Sequence, residues 1–243
     1  TGETPTVQIV ALGGDQWRAH VFTTLTERQA PVAVLLGKKQ GEEVVFTAAK
    51  EGDVIKEGAW WPAPATSKDW SGTLAGTALA LKSGAGEQQL AKVVRASPTL
   101  GAKPPEGAVV LLGEGVDPAT TFTGKGGFPW TTLPGGVMQV KPKGGNVTSK
   151  QKFGSHRLHL EFRSPFMPTA RGQKRGNSGV YIQGVWEVQV LDAFGLQGAE
   201  NETGGIYKVS RPRLNACLPP GTWQTYDMDF TAATWDGATM KVP

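Results

Sequence analysis

Glu187, Gln189 and Asp192 stand at offsets of two and five within the run Asn177-Ser-Gly-Val-Tyr-Ile-Gln-Gly-Val-Trp-Glu-Val-Gln-Val-Leu-Asp192. Two carboxyls and an amide this close can share acid–base work: one group takes a proton, another returns it, and the amide orients a hydroxyl. They act together only if the backbone brings them to one side. The run reads as a β-hairpin, in which Asn177, Tyr181 and Gln183 share one face and Val180 and Ile182 the other, while the returning strand sets Glu187 and Gln189 against Val188 and Val190. A two-residue loop at Gly184-Val185 would oppose Ile182 to Glu187. A three-residue loop, Gly184 to Trp186, opposes Gln183 to Glu187 and Tyr181 to Gln189 instead, giving one polar and one apolar face.

Strict alternation assigns Asp192 to the apolar face, where an unpartnered carboxylate is costly. A bulge near Val190-Leu191 is expected to return it to the polar side beside Glu187 and Gln189. Elsewhere Leu158–Arg163 alternates cleanly, with Leu158, Leu160 and Phe162 facing one way and His159, Glu161 and Arg163 the other; a surface ion pair of Glu161 with Arg163 is the plain reading. Trp223–Phe230 alternates in the same manner. Tyr207 follows Gly204-Gly205, a sign of close backbone approach.

Other chemistries find little footing. His156 and His159 point to opposite faces of one strand, and no zinc spacing, Ser-His-Asp order, Walker loop or dinucleotide fingerprint occurs. The clusters Arg171, Lys174, Arg175 and Lys208, Arg211, Arg213 read as solvated loops without interleaved aromatics, and the net charge of +4 is modest, so no nucleic-acid partner is expected. The single cysteine, Cys217, rules out an intrachain disulfide. No apolar run is long enough to span a bilayer.

The elements that must position these residues are short strands. With 33 glycines and 17 prolines in 243 residues, the chain predicts an all-β protein with little helix. Candidate strands are Val7–Leu12, Trp17–Phe22, Val32–Leu36, Val44–Thr47, Thr77–Leu81, Leu90–Arg95, Ala108–Leu112 and Gly135–Val140. Residues 98–108 carry prolines and glycines without apolar periodicity and read as a linker. The expected organisation is an accessory β domain over 1–97 and a β-sandwich over 109–243.

The strand Glu-Val-Gln-Val-Leu-Asp resembles a variant of the Glu-x-Asp-x-x-Glu strand of glycoside hydrolase family 16 jelly rolls, with Gln189 and Asp192 where that pattern has Asp and Glu. More closely, Trp130, "LEFRSP", "GNSGVYIQGVWEVQVLD", "NETGGIYK" and "NACLPPGTWQTYDMDFTAA" resemble, over about residues 109–243, the 3-keto-disaccharide hydrolase domain family, in the form that carries an extra β domain upstream. The resemblance implies a concanavalin A-like β-sandwich (jelly roll). It also implies substrates oxidised at sugar carbon 3, cleaved by proton abstraction at carbon 2 and elimination at carbon 1. Members continue past the "DFTAA" strand into closing strands, so the sandwich ending at Pro243 is expected to be truncated or completed by another chain.

On this reading Glu187 or Asp192 is the base, Gln189 and Asn177 contact sugar or enolate oxygens, and Tyr207 with Arg163 assists the leaving group. Tyr181, Gln183, Glu161, Trp130 and Trp186 complete the expected sugar-binding surface. A divalent cation such as calcium would draw on Glu187, Asp192 or the Glu200/Glu202 loop; no organic cofactor is expected. The alternatives are a non-catalytic carbohydrate-binding or assembly module and, third, a family 16-like retaining glycosidase. An extracytoplasmic location is a family-level expectation.

Overall fold

The computed structural model describes residues 4–241; Pro243, where the sequence-based expectation of truncation falls, lies outside them. The chain is all-β, with 38% strand and almost no helix. Cα proximity divides it into two compact units, the first formed by residues up to Pro98 with Glu161–Gln224, the second by Thr99–Leu160 with the residues from Thr225 on. This division interleaves the chain, whereas the sequence suggested linear segments.

The first unit is built on an antiparallel seven-stranded meander: β1 (Thr6–Gly13), β2 (Gln16–Phe22), β3 (Ala33–Gln40), β4 (Glu43–Ala48), β5 (Ser71–Ala75), β6 (Ala78–Ser83) and β7 (Gly86–Ala91). Alternation buries Ala19, Val21, Leu35, Phe46 and Leu81 in one cluster. Val7 and Ile9 of β1 and Leu90 of β7 join the same cluster, so the sheet is curled around its own core, as in a β-sandwich protein. Each large side chain buried there contributes about 1.5–3 kcal/mol. Strand β5 was not foreseen, and β7 ends at Ala91, short of the expected Arg95.

The opposite face of the meander is also covered. Val10 packs with Trp60, Ala193, Leu196 and Cys217, so the N-terminal sheet and the 191–217 segment share a core. Buried Arg18 donates to the carbonyls of Asp53 and Trp61 at 3.2 and 2.9 Å and to His20 Nε2 at 3.3 Å. Burial and the Arg18 charge depress the His20 pKa to about 3.

The remaining strands are short. They are β8 (Phe122–Thr123), β9 (Thr131–Leu133), β10 (Val137–Gln139), β11 (Thr148–Ser149), β12 (His156–Phe162), β13 (Ser178–Ile182), β14 (Trp186–Val190), β15 (Gln224–Phe230), β16 (Thr234–Asp236) and β17 (Thr239–Lys241). Residues 108–112, read as a strand from sequence, are irregular: Val109 and Val110 are exposed and have no sheet face to bury them.

Strands β12 and β15 pair, and their polar faces meet as the alternation predicts. Arg157 lies 2.7 Å from Asp229, and His159 Nδ1 lies 2.7 Å from Asp227. Thr99, from the proline-rich segment, donates to Asp227 at 2.6 Å; this bond and the one to His159 hold that carboxyl below its usual range.

Candidate active site

The hairpin forms as β13 and β14, paired Ser178 to Val190 through Ile182 to Trp186 without a register shift. The loop has three residues, but they are Gln183, Gly184 and Val185 rather than Gly184 to Trp186. Gln183 takes φ of 55° and Gly184 φ of 68°, a left-handed pair that closes the turn. The slip is two residues, so every side chain keeps its expected face while changing its partner. Tyr181 therefore stands opposite Glu187, and Gly179 opposite Gln189.

A further segment extends this ladder. Tyr207 N–H donates to Glu187 O at 2.9 Å, Gln189 N–H to Gly205 O at 2.9 Å, and Val188 bridges Ile206 antiparallel. Three residues consequently form one row across the sheet, Tyr181, Glu187 and Tyr207, and the next row is Gly179, Gln189 and Gly205. The Tyr181 hydroxyl donates to Glu187 Oε2 at 2.7 Å. A Cβ at Gly179 would fall on Glu187 Oε1, so glycine is required there for the carboxylate to lie across the strand. Tyr181 is 51% exposed, so this face is open to solvent. The hydrogen bond to Glu187, then burial and the charge of Glu187, push the phenol above its usual range, keeping it protonated at neutral pH. Lys208 Nζ sits 5.4 Å from the Tyr207 ring centre.

Gln189 is on the same face but closed off, 1% exposed. Its amide donates to Gln173 Oε1 at 2.7 Å and Asn201 O at 3.2 Å, so it braces loops and does not reach a sugar.

Asp192 overturns the two-acid expectation. No bulge returns it to the polar face; the chain leaves the ladder after Val190 and buries Asp192 completely. Its Oδ2 accepts from Arg175 Nε at 3.1 Å and Nη2 at 2.5 Å, and its Oδ1 from Phe194 N–H at 3.3 Å. Burial raises the Asp192 pKa against the opposing pull of Arg175. Arg175, expected in a solvated loop, is 2% exposed. The clue in the sequence was the parity of Asp192 itself, since a carboxylate on an apolar face needs a buried cation, but nothing local pointed to position 175.

The other expected residues scatter. Asn177 and Gln183 are exposed at the two ends of β13. Trp186 pairs with Ile182, on the face away from Glu187, and is 47% exposed. Arg163 stacks its guanidinium 5.0 Å from the Trp223 ring centre. Trp130 belongs to the second unit, where its indole N–H donates to Gly145 O at 2.9 Å.

The oxygens suggested for a divalent cation do not converge. Asp192 is held by Arg175, and Glu187 binds Tyr181. Glu202 accepts backbone N–H groups from Ala59, Gly198 and Ala199 at 2.8–2.9 Å. Among the described residues no three His, Cys, Asp or Glu side chains are grouped to hold a metal. These residues do not fit a cation site.

A cavity of about 310 Å3 opens among Glu57, Gln173, Lys174, Leu191, Asn201 and Glu202, and Glu187 is not in its lining.

The curled antiparallel sheet and the scarcity of helix define the chain as a β-sandwich protein, and its β13–β14 hairpin carries the hydrogen-bonded Tyr181 and Glu187 on one face. Its sequence matches the model of the 3-keto-alpha-glucoside-1,2-lyase-like domain over residues 109–240, more than half of the chain, and the protein belongs to that family. The crystal structure of a "putative glycosyl hydrolase" from Parabacteroides distasonis ATCC 8503 is similar at 38% identity and a TM-score of 0.50. The similarity covers 54% of this chain and 56% of that one, about half of each. No curated protein matches the sequence. No helix of the described residues is long and apolar enough to cross a membrane.

Proposed function

We propose that the protein cleaves glycosidic bonds of sugars bearing a ketone at carbon 3, with Glu187 as base and Tyr181 as its proton-exchange partner. Family membership and the likeness to a glycosyl hydrolase support a glycosidase-like role. The observation that carries the finer reading is the Tyr181–Glu187 hydrogen bond of 2.7 Å on an open strand face.

A ketone at carbon 3 acidifies the hydrogen on carbon 2. Glu187 takes that proton, the electron pair forms a carbon 1–carbon 2 double bond, and the carbon 1–oxygen bond breaks. The leaving oxygen takes the Tyr181 proton, and the phenolate recovers one from Glu187 along their hydrogen bond. The products are an unsaturated ketone and an alcohol, with nothing oxidised or reduced; water adding across the double bond completes a hydrolysis. Tyr207, next to Glu187 in the row, is suited to hydrogen-bond the substrate.

A two-carboxylate glycosidase needs a second acid about 5–10 Å from the first. Neither expected candidate supplies it, because Gln189 is a braced amide and Asp192 is locked to Arg175.

The test is turnover of a 3-keto-disaccharide beside an unoxidised β-glucan, with Glu187→Gln and Tyr181→Phe. Loss of about 10²–10⁴ in kcat for Glu187→Gln, with no activity on the glucan, is expected. Equal turnover by Glu187→Gln removes Glu187 from the mechanism. Saccharide binding without turnover by the unaltered protein supports a carbohydrate-binding module instead.

A further inference from the structure

The cavity beside the Gln189 brace has the construction of a ligand site. Its volume of about 310 Å3 falls at the lower end of small-molecule pockets, roughly 300–1,000 Å3. Its walls are fixed from behind. The buried Glu202 carboxylate ties together three backbone N–H groups, and Gln173 is held between the Gln189 amide and Asn201 O, to which its own Nε2 donates at 2.7 Å. Left-handed Gly58 and Gly172, with φ of 94° and 50°, let the two wall loops approach.

The groups on offer to a ligand are polar and balanced. Lys174 Nζ and Glu57 Oε1 stand 3.9 Å apart, too far for a hydrogen bond. One hydroxyl placed between them could accept from the lysine and donate to the carboxylate. The Asn201 side-chain amide makes no hydrogen bond among the described residues, and it offers the donor and acceptor pair that neighbouring hydroxyls match. The opposed charges disfavour both an anion and a cation, and Glu202 has spent its oxygens on backbone. No aromatic platform lines the cavity, so binding is expected to be weak.

We propose that this cavity binds a neutral, hydroxyl-rich molecule of monosaccharide size, at a site separate from Glu187. The loop between β4 and β5 contributes Glu57 and Gly58, so the site requires the segment that precedes the family domain.

The test is titration of the intact protein with glucose and 3-keto-glucose, followed by ligand-observed NMR, with glucuronate and glucosamine as charged controls. The variants are Lys174→Met, Asn201→Ala and Glu187→Gln. Lys174→Met and Asn201→Ala are expected to weaken neutral-sugar binding about tenfold each, or ~1.4 kcal/mol, at unchanged Tm. Glu187→Gln is expected to leave glucose binding intact. Because binding is read apart from turnover, failure here and failure of the catalytic assignment are distinguishable. No sugar binding by the unaltered protein, full binding by both cavity variants, or preference for a charged control would overturn the proposal.

Discussion

Replacing Arg175 with Met strands the Asp192 carboxylate in a site with no solvent contact. Both partners are nearly inaccessible, at 2% and 0%, and the two guanidinium hydrogen bonds converge on one oxygen. Removing one member of such a pair costs about 3–5 kcal/mol, because the remaining charge has neither water nor partner. The double variant Arg175→Met, Asp192→Leu removes both charges and is expected to recover most of that loss. The pH dependence has a definite sign. Burial raises the folded-state pKa of Asp192 above its unfolded value, and loss of Arg175 raises it further. The single variant's destabilisation is therefore greatest above that raised pKa and shrinks as the pH falls through it, where the buried acid becomes neutral. Urea unfolding of the four proteins of the cycle at pH 7 and pH 5 measures both effects. A loss below about 1 kcal/mol at pH 7, or one that does not change with pH, would refute the assignment of Asp192 to a structural ion pair.

The Tyr181 phenol titrates above its usual range because it donates to Glu187, so in Glu187→Gln its absorbance titration should move back down in pH. Gly179→Ala should displace the carboxylate from Tyr181 and lower kcat, with Tyr181 titrating as in Glu187→Gln. Gly195 has φ of 79°, and a Cβ there would collide with Val10 of the N-terminal sheet; Gly195→Ala should cost about 1–3 kcal/mol in urea unfolding. His20 stays neutral when folded, with a pKa of about 3, so stability should fall as pH drops below the unfolded histidine value near 6.5. His20→Phe should flatten that part of the acid unfolding profile.

Alternation of residue type determined a good deal without any structure. It assigned Tyr181, Glu187 and Gln189 to one hairpin face, and this survived a wrong loop position because a two-residue slip preserves parity. It also set the polar faces of β12 and β15, which meet as Arg157–Asp229 and His159–Asp227. Parity fixes which side a group faces, but it carries no information about what covers that side. Gln189 and Glu187 share a face, yet Gln173 and Asn201 close over the first and leave the second open. Asp192 took its meaning from Arg175, seventeen residues away and read as a surface cation. Likewise the 98–108 segment gave no sign that Thr99 would anchor on Asp227, and no sequence period announced that Val10 and Cys217 share a core. Burial and ion pairing arise from contacts between segments distant in the chain, which only the folded packing decides.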